Sequence, residues 1–191
     1  FMSFSDKSAT TDADLHELIA NRWSPRSFDS SHIISDNELE TIIEAARWSP
    51  SSMNAQPWRF LVGKREDKNF QGLVSCLEGN NLDWAPNASA LILVGITAEK
   101  ITKVEAYDAG SAVNALCIQS LSMGLHTNQI GGFSRSKVKE IFSLPTNVEL
   151  IVIIALGKIS SAKNLKSSLV ERELATRIRK PLSEIILPGL N

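Results

Sequence analysis

The residues of this chain with the clearest chemical potential are a set of arginines and one compact turn. Arg22 and Arg26 flank Ser24 in Arg22-Trp23-Ser24-Pro25-Arg26, and Arg177 and Arg179 lie in the tail Arg177-Ile178-Arg179-Lys180-Pro181. Guanidinium forks match phosphate oxygens, so a fold that gathers these side chains could hold one phosphate. The plainer reading is a solvated basic stripe. The turn runs Pro50-Ser51-Ser52-Met53-Asn54-Ala55-Gln56-Pro57-Trp58. Its amides could pair with the hydrogen-bonding edge of a planar ring, or Asn54 and Gln56 could simply tie down their own backbone. After Ile130, the pair Gly131-Gly132 lets main chain approach a ligand with no Cβ in the way.

Other candidates carry less. His16, His32 and His126 are scattered without metal-ligand spacing. No G-x-S-x-G, H-E-x-x-H, G-x-x-x-x-G-K or G-x-G-x-x-G occurs. Trp58 and Trp84 read as packing residues, and Tyr107 has no evident partner.

The elements that must position these residues follow from apolar spacing. A first helix is predicted over 12–21, with Thr11 as N-cap and Leu15, Leu18 and Ile19 on one buried face. A second starts at the capping box Ser35-Asp36-Asn37-Glu38, buries Leu39, Ile42, Ile43 and Ala46, and stops as Pro50 approaches. Trp58 to Val62 reads as a strand, Glu66 to Leu77 as a helix, and the apolar run Ala88 to Ile96 as a strand covered on both faces. Tyr107 to Met123 has the periodicity of a central helix, with Gly124 as its left-handed C-cap. A short helix near Ser134 to Phe142 and a buried strand over Val148 to Leu156 complete the pattern, which is that of a mixed α+β or α/β domain.

The chain has 191 residues, enough for one domain with a substantial core. Lys plus Arg (20) nearly cancels Asp plus Glu (21), leaving a net charge of -1 and no global attraction to nucleic acid or anionic membrane. Cys76 and Cys117 form no C-x-x-C and are expected as buried thiols in a reducing compartment. No apolar run reaches the roughly 18 residues of a membrane span, and the polar stretch Phe1 to Asp14 has no signal-peptide core. Met2 reads as the natural start, and the expected location is the cytoplasm.

Taken in order from Leu15 to Pro181, these segments resemble the nitroreductase family of FMN enzymes. The resemblance is carried by Arg22-Trp23-Ser24-Pro25-Arg26-Ser27-Phe28, by Ala46-Arg47-Trp48-Ser49-Pro50-Ser51-Ser52-Met53-Asn54-Ala55-Gln56-Pro57-Trp58, by Gly124-Leu125 with Ile130-Gly131-Gly132-Phe133, by Ala155-Leu156-Gly157 and by Arg179-Lys180-Pro181-Leu182. It implies an α+β fold, a nitroreductase-like three-layer sandwich around a central, mainly antiparallel sheet. One domain would span 1–191, with residues 1–10 flexible and 158–191 an extension closing over the cofactor and partner subunit. Two chains would intertwine as a homodimer with FMN at the interface.

The resemblance also assigns roles. Arg22 and Ser24 match phosphate-side contacts, Arg177 and Arg179 the basic pair that closes over the phosphate, and Arg26 the cation near flavin N1 and O2. Asn54 matches the amide on the pyrimidine edge. Pro50, Ser51 and Ser52 line the ring or ribityl chain across the interface, and the backbone around Ile130, Gly131 and Gly132 approaches N5. The implied activity is a ping-pong cycle in which NAD(P)H donates hydride and a small electron-poor acceptor, such as a nitroaromatic or quinone, takes the electrons. No protein acid, base or metal is required. Rival readings are a non-catalytic FMN-binding or redox-sensing module, a flavin enzyme of the same fold with another task such as reductive dehalogenation or oxygen-dependent chemistry, and a cofactor-free dimer. The chain departs from well-known members at Gln129 and Gly131, where Pro and Glu are frequent. It is also short over 78–88 and 94–107, where longer relatives place substrate-covering helices.

Overall fold

The computed structural model describes residues 7–187. Phe1, Met2 and the other positions up to 6 in the expected flexible segment lie outside the described residues. Lys7 is 7% exposed, donates from Nζ to the Ala175 carbonyl at 2.6 Å and sits 5.0 Å from the Trp23 ring centroid.

In chain order the elements are α1 (Glu17–Asn21), α2 (Asp36–Arg47), β1 (Trp58–Lys64), α3 (Lys68–Cys76), β2 (Ala90–Thr97), α4 (Lys103–Ser122), β3 (His126–Ile130), α5 (Arg135–Ile141), β4 (Val148–Gly157), α6 (Ser167–Leu174) and α7 (Leu182–Ile185). The strands form one sheet in the order β1-β2-β4-β3, with every pairing antiparallel. Because side chains alternate along a strand, β2 feeds two cores. Leu91 and Leu93 join Phe70, Leu73, Ile153 and Leu169 on the α3/α5/α6 side. Ile92 and Val94 join Ile42, Ala46, Leu116 and Ile154 on the α2/α4 side. This is a helix–sheet–helix sandwich, and it explains why β2 reads as a continuous apolar run.

Local signals account for most boundaries. Ser35 and Glu38 form the expected capping box of α2, with Ser35 N–H donating to Glu38 Oε2 at 2.8 Å. Gly124 takes the expected positive φ of +73° after α4. The start of α4 differs: a second capping box, Thr102 with Glu105, begins the helix upstream of Tyr107. Likewise α3 begins after Glu66, whose φ of +77° is incompatible with a helix, and Asp67 caps it by accepting from Phe70 N–H at 2.6 Å. The stretch after Leu125, read from sequence only as a glycine-bearing approach, contains edge strand β3.

The first helix is the largest correction. It spans only Glu17–Asn21, capped by His16 rather than Thr11, and Leu15 and Ile19 are exposed. Of the expected stripe only Leu18 is half-buried, and a short helix with so little packed face is marginal. Cys76 and Cys117 are both buried free thiols, and Trp58 and Trp84 are buried as expected. Among the described residues no helix is long and apolar enough to cross a membrane.

Candidate functional site

The loop Arg22 to Ser27 leaves α1 and is bound on two sides. From β3, the 6%-exposed Asn128 donates through Nδ2 to the carbonyls of Ser24 (3.1 Å) and Pro25 (2.9 Å). From α6, the 2%-exposed Glu173 accepts from Arg26 N–H with both oxygens at 3.0 Å, from Ser27 N–H at 3.0 Å and from Ser27 Oγ at 2.6 Å. The tail then returns across the loop. Arg177 Nη1 donates to the carbonyls of Lys7 (2.6 Å) and Ala20 (2.5 Å). Ala20 lies in the last turn of α1, whose carbonyls lack helical partners, so Arg177 caps that helix.

These constraints bring the basic groups together. Burial first, then the neighbouring charges of Arg22 and Arg179, hold the Arg177 guanidinium below its ordinary value. Arg22 Nη1 also reaches Ser24 Oγ at 3.4 Å. Arg22, Ser24, Arg177 and Arg179 therefore form one cationic cluster, whose mutual repulsion an anion would relieve. Arg26 lies in an adjoining group. Burial, followed by Arg172, lowers its guanidinium, and Glu173 acts in the opposite direction.

The Pro50–Trp58 turn is built differently. Met53, Asn54 and Gln56 all have positive φ (53°, 57° and 48°), conformations that cost a non-glycine residue energy and tend to cluster at functional sites. The turn is held by Ser51 Oγ accepting from Gln56 N–H at 3.0 Å and by Ser52 N–H donating to Asp108 Oδ2 at 3.0 Å. Gln56 follows the structural reading, donating from Nε2 to the Asn54 carbonyl at 3.1 Å. The Asn54 amide is exposed and bonds to no side chain or backbone group among the described residues. Pro50, Ser51 and Ser52 border a depression of about 420 Å³ with Val104, Tyr107, Asp108 and Ser111 of α4.

The turn and the arginine cluster sit at different levels of α4. The turn is tied to Asp108, whereas Arg22 lies close enough to Cys117 for its charge to oppose the upward push that burial gives that thiol. Those positions are separated by roughly 13 Å along a helix rising 1.5 Å per residue. No hydrogen bond or ion pair among the described residues joins the turn to the arginine cluster. In one chain the turn and the arginine cluster are thus separate regions.

At the end of β3, Gly131 is exposed and a Cβ built there meets nothing within 4 Å, while Gly132 is packed beside Asn81 and accepts from Glu78 N–H at 3.1 Å. Ile130 is 3% exposed with its side chain in the core, so only its main chain is available to a ligand.

The profile of the nitroreductase family matches residues 19–79 and 63–158. The chain belongs to the nitroreductase family. An "Oxygen-insensitive NADPH nitroreductase" of Helicobacter pylori (strain J99) is 31% identical, over 79% of this chain and 90% of that protein. One of the same name from Helicobacter acinonychis is 30% identical, over 74% and 86%. A crystal structure described as an oxidoreductase containing FMN superposes with a TM-score of 0.86 at 30% identity, covering 95% of this chain and 94% of that one. The family profile ends before Arg177 and Arg179.

Sequence reasoning missed the residues that hold the two loops: Asn128, Glu173 and Asp108. Asp108 had a signal, since a carboxylate four residues before Ala112 on the buried face of an apolar helix has to meet a donor. Glu173 had none, because an acidic residue in a basic tail reads as surface.

Proposed function

We propose that the chain is an FMN-dependent oxidoreductase that uses NAD(P)H to reduce small electron-poor acceptors such as nitroaromatics or quinones. Donor and acceptor would take turns in one pocket at the interface of a homodimer. The observation that carries this reading is the convergence of Arg22, Arg177 and Arg179 beside Ser24, a cationic cluster assembled from two ends of the chain. It suits a phosphate monoester.

The remaining residues fit the same cofactor. Asn54 offers an amide unpaired among the described residues for the pyrimidine edge, and the open space at Gly131 admits a planar ring against main chain. Because the turn and the cluster are separate in one chain, the Pro50, Ser51, Ser52 and Asn54 half-site of one subunit would complete the arginine half-site of its partner. When bound, FMN supplies the redox chemistry, leaving binding, orientation and electrostatics to the protein. A fixed cation at Arg26 would favour the charge that builds on the N1 and O2 side on reduction.

The test is a visible spectrum of the purified protein, before and after NADPH or NADH is added without oxygen. Flavin bands that bleach are the expected result, and the more effective donor identifies the preference. Bands that persist would favour the binding-module rival. Protein that stays colourless after reconstitution with FMN would overturn the proposal.

A further inference from the structure

Glu173 is a buried carboxylate whose acceptor capacity is spent on one short piece of main chain. Both oxygens receive Arg26 N–H, and Oε1 also receives Ser27 N–H and Ser27 Oγ, all within 3.0 Å. Ser27 is itself 3% exposed. Among the described residues no guanidinium or ammonium hydrogen-bonds to this carboxylate, so its contacts fix backbone rather than pair charge. The Arg26 guanidinium, for its part, donates to no acceptor among the described residues; the like charge of Arg172 opposes its charge and the Glu173 carboxylate favours it without a hydrogen bond. A group left in that state takes its position from the main chain beneath it.

We infer that Glu173 is the positioning residue for Arg26: by gripping the Arg26–Ser27 main chain from α6, it holds the guanidinium where the flavin edge arrives. This deepens the proposed function and rests on it. The grip also links the tail to the cofactor, because α6 leads directly into Arg177 and Arg179. One carboxylate therefore sets the registration of both the ring-side and the phosphate-side cations.

A purely electrostatic role for Glu173 predicts the opposite sign from a positioning role. If only its negative charge acted on the ring, removing that charge would make the flavin easier to reduce, and a charge-conserving exchange would change little. If it positions Arg26, losing the charge and shortening the side chain both withdraw the cation, and the flavin becomes harder to reduce. Glu173→Gln places an amide N–H₂ against backbone donors, and Glu173→Asp is one methylene too short.

The experiment measures the midpoint potential and FMN affinity of the holoprotein for wild type, E173Q and E173D, each alone and in an R26Q background. Amide exchange at Arg26 and Ser27 is followed in the same variants. The expected result is a more negative potential in both single variants, FMN affinity lowered at least about ten-fold in E173Q, and no further potential shift when either is added to R26Q. Faster exchange at Arg26 and Ser27, with strand amides still protected, would show that the grip and not the fold was lost. A more positive potential in E173Q with E173D like wild type would overturn the inference, as would effects that add to R26Q. Wild-type protein that takes up no FMN overturns both readings; wild-type protein that binds FMN, with potential unchanged in E173Q, overturns this one alone.

Discussion

At the scale of single residues, the arginine cluster yields a direct prediction. Arg22→Ala and Arg179→Ala should each weaken FMN binding about ten-fold or more, since one charge-assisted hydrogen bond of roughly 1.5 kcal/mol or more is removed. Titration of flavin fluorescence would check this, and unchanged affinity in both variants would place the phosphate elsewhere. His126 makes a second prediction. Its Nδ1 is buried without a hydrogen-bond partner among the described residues, and desolvation lowers its pKa to about 4. The unfolded chain then binds a proton near the ordinary value of about 6.5 that the folded chain refuses. Stability is therefore fully present above pH 6.5 and declines as pH falls toward 4. Between pH 7 and pH 5 this one group should cost about 2 kcal/mol. Urea unfolding of wild type and His126→Gln at the two pH values would show it as a shallower loss in the variant; equal losses would contradict it. Residue types were legible in the sequence here, but burial was not. Nothing in the order of letters separates His126, unpartnered in the sheet, from His32, whose Nδ1 meets Ser89 Oγ at 2.9 Å.

At the scale of elements, packing follows from contacts between segments distant in the chain. Gly63 in β1 lies so close to α3 that a Cβ there would sit 2.4 Å from Phe70 N. The obstacle is backbone, so the helix itself would have to move. Gly63→Ala should therefore destabilise the protein by about 1–3 kcal/mol, seen as a lowered unfolding midpoint. Asp108→Ala acts on the Pro50–Trp58 turn. It leaves Ser52 N–H without its acceptor, frees the strained Met53–Asn54 turn, and should lower FMN affinity more than it lowers stability. Comparison of FMN dissociation constants with unfolding midpoints would separate the two effects. The cap at Ser35–Glu38 and the apolar runs of β2 and β4 were visible in the sequence because they depend on neighbours a few residues away or on simple alternation. The short α1 and the edge strand β3 were not. Their extents depend on what lies across the sheet or beyond the chain.

At the scale of the whole molecule, the exposed apolar residues are the informative feature. Leu15 and Ile19 of the first helical segment, Trp48 and Met53 around the turn, Tyr107 on α4, and Ile178, Leu182, Ile185 and Leu187 of the tail all face outward. In the proposed dimer these groups would be covered by the partner, as contiguous apolar surface at an interface is. Sedimentation should show a dimer carrying one FMN per chain, and a stable monomer that binds FMN with full occupancy would refute the shared-site arrangement.

By itself the sequence determined which residue types could do chemistry, the central strands with two buried faces, the capped start of α2 and the glycine end of α4, and the family to which their order points. Those properties arise from local spacing and side-chain chemistry. Only the tertiary structure decided that Arg22 lies near enough to Arg177 and Arg179 for their charges to act on one another, that the Pro50–Trp58 turn is anchored to a different level of α4, and that buried Glu173, Asn128 and Asp108 hold the loops in place. These pairings join residues far apart along the chain. They exist because burying a polar group requires a partner, and the fold alone determines which partner comes within reach.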